Sequence, residues 1–340
     1  MTLNTTTTTP RVILGTMTFG LEGTNPNNTI ARVFGPEKVG PFLDSFRSHG
    51  HTEIDTARSY CWGDTEKLTH VSLYAKVLGQ LTIGNFSIST KVWPAIPNAH
   101  GAENLSRVLR ESLVDLNVPK VDIFYLHAPD YTTPFEVTAK AIDGLYREGL
   151  FERFGLSNYA SWEVALIYKI CEQNGYVLPT VYQGMYNPLA RSVVPELLPC
   201  LKKLNISFYA YNPIGGGLLT GKYKFEDQII EGGRYDPKTA FGQYFRERYW
   251  NKLNLEGVQI LEKAAKANNL TLVEATLRWM KHHSGLEAKD GVIIGASSLV
   301  HLNENLKDLE KGPLPQEMLE AFDQAWEHVM AASKHYTRAA

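Results

Sequence analysis

The sequence predicts an α/β fold of the (β/α)8 TIM barrel type, and two observations favour it. From Val12 onward, short apolar runs alternate with longer segments of helical periodicity, which is typical of a parallel sheet built from strand and helix units. Eight such runs occur, and residues 11–330 contain neither a low-complexity linker nor a short-period repeat. We therefore expect one barrel domain over residues 11–340, with a lid-like insertion around residues 223–250, after a disordered leader at residues 1–10.

The predicted strands are short runs rich in β-branched and aromatic residues, and the predicted helices are the periodic segments between them. The strands cover residues 12–16, 52–55, 86–90, 121–127, 153–157, 180–183, 207–211 and 292–295. The clearest helices cover residues 102–116, 133–148, 162–174, 194–204 and 258–282. Residues 63–66 and 303–305 mark helix starts, and residues 313–330 have the periodicity of an amphipathic helix.

An open doubly wound sheet is the alternative arrangement for alternating strands and helices. A dinucleotide site in that fold would show the spacing GxGxxG after the first strand, whereas residues 14–20 read LGTMTFG. The missing glycine fingerprint favours the closed barrel.

Composition argues against several classes of protein. Cys61, Cys171 and Cys200 lie far apart without CxxC or His-rich spacing, which disfavours a disulfide framework and a zinc site. The net charge is -2 and the sequence has no long basic run, so it does not predict a positive surface that would bind nucleic acid or an anionic membrane. Residues 1–10 lack the charged and apolar regions of a secretory signal. We expect a cytoplasmic protein with reduced thiols and a small-molecule partner.

Polar side chains follow the predicted strands in a pattern that indicates chemistry. In a barrel of this type, functional groups collect at the C-terminal ends of the strands. Asp55 closes the second predicted strand and is followed by Tyr60. Lys91 follows the third strand, and His127 ends the fourth. Taken alone, each residue has a common structural explanation, such as a helix cap, a rim aromatic, a surface charge or a core polar group.

The chemistry of these four side chains is complementary. Tyrosine has an ordinary pKa of roughly 10, so it protonates a substrate oxygen near neutral pH only if a nearby cation lowers that value. Lys91 can supply the cation, and Asp55 can keep the ammonium charged and oriented. His127 would lie across the same cavity and orient an approaching carbonyl group.

These residues and their neighbours carry a resemblance to a known family. Asp55, Tyr60, Lys91 and His127 resemble the catalytic tetrad of the aldo-keto reductase superfamily, and the similarity extends over the chain after the leader. The segments that resemble the superfamily around the tetrad read IDTA at 54–57, STK at 89–91 and YLH at 125–127. Within the superfamily, the aflatoxin-aldehyde reductase branch is most similar, through YNPLAR at 186–191, GGLLTGKY at 216–223 and GGRY at 232–235.

The resemblance implies NADPH bound across the barrel mouth without a metal ion. Ser157, Asn158 and Gln183 would hold the nicotinamide carboxamide, whose ring would stack on Tyr211. Further cofactor-binding positions implied by the resemblance are Asn212, Pro213, Gly217, Leu218, Gly221, Lys222, Arg234, Gly295, Ser297, Ser298 and Asn305. The residues themselves are compatible with this assignment, because Tyr211 has a flat face and the three polar side chains carry amide-binding groups. Core packing of Tyr211, a flexible glycine turn and a surface ion pair of Arg234 are the structural alternatives.

The choice between NADPH and NADH depends on the region after the eighth strand. Many members of the superfamily carry a lysine there and an arginine further on, which hold the 2′-phosphate, whereas this chain has Ala296 and His301. The resembled branch also lacks that lysine. NADPH is therefore expected, with NADH as the alternative.

The activity implied by the resemblance is reduction of aldehydes, including dicarbonyl or semialdehyde compounds, with Tyr60 as the general acid. Met17, Tyr60, Trp93 and His127 would line the substrate pocket, and an arginine near the mouth would favour a substrate that carries a carboxylate. Aromatic residues and arginines within residues 223–250 would form a lid or pack among themselves. Residues 334–338 would fold over the pocket or fray, and a homodimer has a precedent in the resembled branch.

Two functions from other classes are alternatives to this enzyme. A regulatory subunit that senses nicotinamide nucleotides would keep the barrel but show little turnover, and the presence of all four tetrad residues favours the enzyme over it. A barrel lyase or hydrolase would need paired acids or metal ligands at the strand ends. Only Asp55, Asp130 and His127 are available there, and they are too spread along the chain for a metal site.

Overall fold

Eight parallel strands close into a barrel in the computed structural model, which describes residues 9–23, 29–75, 86–226 and 231–337. The strands are β1 (Arg11–Gly15), β2 (Phe19–Gly20), β3 (Val33–Phe34), β4 (Glu53–Asp55), β5 (Ser87–Val92), β6 (Val121–Leu126), β7 (Phe151–Ser157), β8 (Pro179–Met185), β9 (Ser207–Tyr211) and β10 (Gly291–Ile294). Strands β2 and β3 form a separate ribbon, and β1 closes the barrel by pairing with both β4 and β10. The predicted fold class and its eight strands are confirmed, while most of the predicted leader lies outside the described residues.

Helices surround the barrel and bury one apolar side against it. They are α1 (Pro36–Ser48), α2 (Asp64–Ala75), α3 (Ala102–Leu116), α4 (Phe135–Arg147), α5 (Ser161–Asn174), α6 (Leu197–Lys203), α7 (Ala240–Tyr249), α8 (Lys252–Ala267), α9 (Leu272–His282), α10 (Leu299–Glu310) and α11 (Gln316–Val329). In α3, for example, Leu105, Leu109 and Leu116 are buried at helical spacing. Across the part of the chain that the structure describes, no helix combines the length and the apolarity that crossing a membrane would require.

Two helix predictions are wrong in their boundaries. The segment predicted as one helix over residues 258–282 is divided between α8 and α9, because Asn269 adopts a left-handed φ of 55° and Thr271 caps the second helix by accepting from the Glu274 N–H. The helix start predicted at residues 303–305 lies too late. Helix α10 begins at Leu299, where the Ser298 hydroxyl accepts from the His301 N–H.

The barrel interior is filled by side chains that point inward from successive strands. Its buried cluster consists of Ile13, Ile123, Tyr125, Val181, Tyr209 and Ile293. The Tyr125 ring occupies the space beside Gly155 on β7, where a Cβ atom would lie only 2.2 Å from the ring carbon Cδ1. A glycine is therefore required at position 155, and the interior is a packed core above which the strand ends form the mouth.

The insertion around residues 223–250 packs largely on itself. Tyr223, Tyr235 and Trp250 form a ring cluster with centroid separations of 5.0 to 5.7 Å. Phe241 packs against neighbouring rings of α7, and the Arg246 guanidinium lies 4.3 Å from the centroid of the Trp250 ring. Of the two interpretations of this insertion, internal packing holds for these residues, whereas residues 227–230 lie outside the described part.

The C-terminal tail is anchored by one tyrosine. Tyr336 is buried, and its hydroxyl accepts a hydrogen bond from the Ser161 N–H at the start of α5 over 3.1 Å. Lys334 lies 3.8 Å from Glu247 on α7. The tail up to residue 337 is thus docked on the barrel, and Arg338 lies outside the described residues.

Candidate active site

The centre of the mouth is a buried ion pair between β4 and β5. Asp55 is the last residue of β4, and Lys91 lies two positions beyond its register partner Ser89 on β5. The Lys91 ammonium is fully buried and donates to Asp55 Oδ2 over 2.8 Å, to the Thr56 carbonyl over 2.6 Å and to the Tyr60 hydroxyl over 3.2 Å. One cation therefore holds a carboxylate on one side and a phenol on the other.

Burial and charge oppose each other at this lysine. Burial lowers the pKa of Lys91 from its ordinary value, whereas the Asp55 carboxylate, through its charge and its hydrogen bond, and the charge of Glu66 raise it. Since the ammonium has three oxygen acceptors within hydrogen-bond distance, its donors are satisfied in a site that excludes water.

Tyr60 begins a short turn of unusual backbone conformation. In the segment Tyr60–Gly63, Cys61 and Trp62 adopt left-handed φ values of 46° and 58°. Cys61 is buried with its thiol 3.5 Å from the Met17 carbonyl, whereas Trp62 is 57% exposed. The turn leaves the Tyr60 side chain half-buried at the mouth with its hydroxyl on Lys91.

His127 directly follows β6 and lies between two aromatic rings. Its imidazole centroid is 5.8 Å from that of Tyr60 and 5.2 Å from that of Trp93, in edge-on arrangements of 77° and 89°. Met17 is half-buried after β1. The structure thus brings Tyr60, Trp93 and His127 together as neighbouring groups of one pocket wall.

Gln183 has a neighbour in addition to the carboxamide that the sequence predicts for it. It is buried near the end of β8, and its amide Nε2 donates to Asp55 Oδ1 over 2.8 Å. Ser89 adds a hydroxyl to the same oxygen over 3.2 Å. Gln183 therefore contacts the ion pair directly, whatever its amide oxygen binds.

The other two candidates for holding a carboxamide are linked to Tyr211. Asn158 follows β7 with a left-handed φ of 65°, and its Nδ2 donates to the His127 carbonyl over 2.8 Å and to the Ser157 hydroxyl over 3.0 Å. The Tyr211 hydroxyl donates to Asn158 Oδ1 over 2.8 Å. Tyr211 is half-buried as the last residue of β9. Its ring at the mouth is therefore linked by a hydrogen bond to the pair Ser157 and Asn158.

A glycine-rich turn follows β9. Gly215, Gly216 and Gly217 have positive φ values of 59°, 65° and 97°, and the N–H groups of Gly215 and Gly217 donate to the Asn212 and Ile214 carbonyls within the turn. Arg234 lies against this loop, since a Cβ on Gly216 would be 3.4 Å from its Cδ. Burial lowers the pKa of Arg234, as does the charge of Arg32, and the structure gives Arg234 no carboxylate partner among the residues it describes. The Arg234 guanidinium is the group here whose planar donors suit phosphate.

The remaining positions expected to contact a cofactor are distributed along the same rim. Asn212 has a left-handed φ of 55°, Gly221 ends the turn Gly215–Thr220, and the Lys222 ammonium is exposed, 4.9 Å from the Tyr223 ring centroid. Pro213 and Leu218 are buried, so the Leu218 side chain belongs to the core. After β10, Gly295 and Ser297 are exposed, Ser298 caps α10, and Asn305 is buried on that helix.

Sequence reasoning missed four residues around the ion pair. Ser89 and Thr56 contribute oxygen atoms to the Asp55–Lys91 pair, and Arg58 and Glu66 form an ion pair of 3.1 Å beneath the Tyr60 turn. Their position in the sequence is the signal that could have identified them, because all four lie within a few residues of Asp55, Tyr60 or Lys91. Their polarity alone predicts only residues at a strand edge or at the start of a helix.

Comparison with known proteins gives one consistent result. The family model described as the aldo/keto reductase family matches residues 11–327. An aldo-keto reductase of Pseudocercospora fijiensis is 41% identical over 86% of this chain and 99% of its own length. Aflatoxin B1 aldehyde reductase member 2 of Mus musculus is 41% identical over 97% of this chain and 88% of its own, and aldo-keto reductase family 7 member A3 of Homo sapiens is 42% identical over 91% and 97%. The family model matches nearly the whole chain, and the structure is a closed eight-stranded barrel. The chain therefore belongs to the aldo/keto reductase family of oxidoreductases.

Proposed function

We propose that this chain reduces aldehydes to alcohols with NADPH, and that Tyr60 is the general acid. Family membership gives the reaction class, and the contact of the Lys91 ammonium with both the Tyr60 hydroxyl and Asp55 is the observation that supports the assignment of roles. A phenol beside a buried cation is suited to giving up its proton, because the cation stabilises the phenolate that remains.

Each residue of the group has a separate task in this proposal. The bound nicotinamide supplies the hydride that reduces the carbonyl carbon. Tyr60 donates its hydroxyl proton to the carbonyl oxygen, and Lys91 stabilises the phenolate. Asp55 keeps Lys91 charged and in place. His127, which packs edge-on against Tyr60, orients the carbonyl group and limits its approach to one side.

The residues present fit a nicotinamide dinucleotide. Ser157, Asn158 and Gln183 offer amide-binding groups at the ends of β7 and β8, and Tyr211 offers a ring beside them. Arg234, which packs against the glycine turn, offers guanidinium donors for phosphate. The exposed Ser297 and His301, whose side chains lie 3.1 Å apart after β10, are polar groups that would contact the 2′-phosphate of NADPH.

The substrate class follows from a second arginine. Arg248 on α7 is half-buried, with Nη1 3.2 Å from the Met185 sulfur and its guanidinium 5.5 Å from the Tyr244 ring centroid. Within the described ranges it has no carboxylate partner, so its charge is available to a ligand. We therefore propose aldehydes that carry a carboxylate as preferred substrates, and the name of the Mus musculus relative is also that of an aldehyde reductase.

The test combines cofactor binding with turnover. Quenching of tryptophan fluorescence should show tighter binding of NADPH than of NADH, and NADPH oxidation should be faster with a semialdehyde than with the uncharged aldehyde of equal length. Tyr60→Phe should lower kcat by about 100-fold or more while NADPH still binds. Wild-type turnover in Tyr60→Phe would contradict the acid assignment. Cofactor binding without oxidation of any aldehyde would support the regulatory subunit instead.

A further inference from the structure

The turn that carries Tyr60 has a backbone that side chains disfavour. Three consecutive residues, Cys61, Trp62 and Gly63, have positive φ values of 46°, 58° and 94°. Only glycine adopts this region freely, and bulky residues occupy it at a cost that the surrounding structure must offset. Since the hydroxyl of Tyr60 must stay on Lys91, the groups packed beneath the turn have to hold its backbone in this conformation.

Arg58 fills the space under the turn. Its Nη1 would lie 3.2 Å from a Cβ on Gly63, so the guanidinium packs directly against the turn backbone. The same guanidinium forms ion pairs with Glu66 at 3.1 Å, with Glu111 at 3.6 Å and with Asp115. Two of these partners lie on α3, and Glu66 lies in the first turn of α2. Arg58 therefore fastens the turn to both helices.

Glu66 links the turn to the strand that carries the cation. Its side chain is completely buried, and its Oε1 accepts from the Thr90 hydroxyl over 2.6 Å. Its Oε2 accepts from Arg58 over 3.1 Å. Thr90 immediately precedes Lys91, and the Arg58 backbone N–H donates to the Lys91 carbonyl over 3.2 Å. One carboxylate thus connects the neighbours of Tyr60 with the neighbour of Lys91.

We propose that Arg58 and Glu66 are positioning residues for the reduction, a clamp that sets the distance between the Tyr60 hydroxyl and the Lys91 ammonium. The proposal rests on the function proposed above, because it assigns the clamp a role in proton donation. Neither side chain is a catalytic residue, since neither reaches the mouth. The clamp acts through the backbone of the turn and through Thr90, and the charge of Glu66 in addition raises the pKa of Lys91.

Stability alone is an insufficient reason for this arrangement. A fully buried carboxylate loses its hydration, and buried ion pairs often contribute little net stability compared with apolar residues of the same shape. The molecule also offers a matched ion pair away from the mouth. Arg153 pairs with Asp122 at 2.6 Å between β7 and β6, and the Arg153 side chain is 27% exposed, compared with 26% for Arg58. A purely structural role predicts that loss of either arginine lowers stability and leaves kcat unchanged.

The experiment compares Arg58→Met with Arg153→Met. We expect Arg58→Met to lower kcat by about 10- to 100-fold, because a displacement of about 1 Å of a reacting group has effects of this size. KM for the aldehyde and Kd for NADPH should change by less than about threefold, since the clamp touches neither ligand. Arg58→Lys keeps the charge and should recover part of the loss. Arg153→Met should lower the melting temperature to a similar extent and leave kcat unchanged.

Several outcomes would contradict the proposed positioning role of Arg58 and Glu66. Equal loss of melting temperature with unchanged kcat in both Met variants would show a structural role alone, and a large rise in the Kd for NADPH in Arg58→Met would place the effect on the cofactor. If Arg58→Met fails to fold, Glu66→Gln decides, because glutamine keeps the Thr90 contact but removes the charge. It should lower kcat at every pH with KM unchanged. Wild-type kcat would overturn the proposal, and so would a loss confined to a lower alkaline limit, which would assign the effect to the charge that Glu66 exerts on Lys91. Full activity of Tyr60→Phe would instead contradict the proposed function, which separates the two failures.

Discussion

Gln183 and Asp55 are joined by a hydrogen bond of 2.8 Å, from the amide Nε2 to the carboxylate Oδ1, across 128 positions of sequence. The same carboxylate binds the Lys91 ammonium through its other oxygen over 2.8 Å. A residue that was expected only to hold a carboxamide is therefore part of the second layer around the cation. In the proposed function Gln183 would serve both cofactor binding and, through Asp55, the orientation of Lys91, so one mutation should alter both properties.

Substitution of Gln183 should affect two measurements together. Gln183→Leu removes a donor from Asp55 and a polar group from the proposed carboxamide site, so kcat should fall and Kd for NADPH should rise about 10-fold, equivalent to about 1.4 kcal/mol. Ser89→Ala removes the other side-chain donor to the same Asp55 oxygen but lies further inside the barrel. It should reduce kcat slightly and leave Kd unchanged in a fluorescence titration. An unchanged Kd in Gln183→Leu would remove this residue from the cofactor site.

Asp55→Asn should move the alkaline limit of activity. Burial lowers the pKa of Lys91 below its ordinary value, and the Asp55 carboxylate opposes that shift. Activity that requires the ammonium is present below the pKa of Lys91 and is lost as pH rises through it. Without the Asp55 charge the pKa falls further, so the loss should occur about 1 to 3 pH units lower.

The measurement is a profile of kcat against pH for both proteins, with Lys91→Met as the control. If the alkaline loss reports Lys91, the control keeps only a small activity that lacks this limb. Superimposable profiles of the wild type and Asp55→Asn would show that another group sets the alkaline limit.

Acid sensitivity should arise from a histidine outside the mouth. Burial lowers the pKa of His100 to about 4, although the charge of Asp130 opposes the shift. Above the ordinary pKa of 6.5 the folded and unfolded chains both carry neutral imidazole. As pH falls from 6.5 to about 4, only the unfolded chain gains the proton. The free energy of unfolding should therefore fall over this window, by up to about 3 kcal/mol.

Urea unfolding of the wild type and of His100→Gln at pH 4 to 8 would test this linkage. The variant should lose stability less steeply below pH 6.5, because glutamine cannot take up the proton. Parallel curves for the two proteins would exclude His100 as the source of the acid sensitivity.

The sequence was informative about the barrel because strand and helix periodicities differ. The sequence was uninformative where the helix propensity of a segment and the burial of its side chains favour different structures. Helix α1 contains Pro41 in its interior, which argues against a helix, yet Phe42 and Phe46 are buried against the core and outweigh that penalty. Helices α8 and α9 share one apolar period across Asn269, so the break between them depends on a single left-handed residue.

The site shows a similar division between local and long-range information. Position after a strand was enough to select Asp55, Lys91 and His127, because barrel closure brings strand ends together. The partner of Gln183 could not be predicted, since it depends on which side chains meet across the closed barrel. The contact between Arg58 and Glu66 could not be predicted either, because charged side chains near the start of a helix normally face water.

The two tyrosines inside the barrel should respond in opposite ways to loss of their hydroxyl groups. Tyr125 is fully buried, and its hydroxyl has no hydrogen-bond partner among the residues that the structure describes. The Tyr209 hydroxyl donates to Glu53 over 3.0 Å and lies 3.4 Å from both Arg11 and Arg153. A buried polar group without a partner is costly, whereas hydrogen bonds to charged groups stabilise by about 1.5 to 3 kcal/mol.

Tyr125→Phe should therefore leave the free energy of unfolding unchanged or raise it by about 1 kcal/mol, and Tyr209→Phe should lower it by about 1 to 3 kcal/mol. Both changes keep the ring, so neither creates a cavity beside Gly155 or elsewhere in the interior. Urea unfolding at pH 7 measures the two differences, and the slope with denaturant should remain equal in all three proteins. A clear loss of stability in Tyr125→Phe would reveal a partner for that hydroxyl, for which a buried water is the simplest candidate because the interior is otherwise closed by side chains.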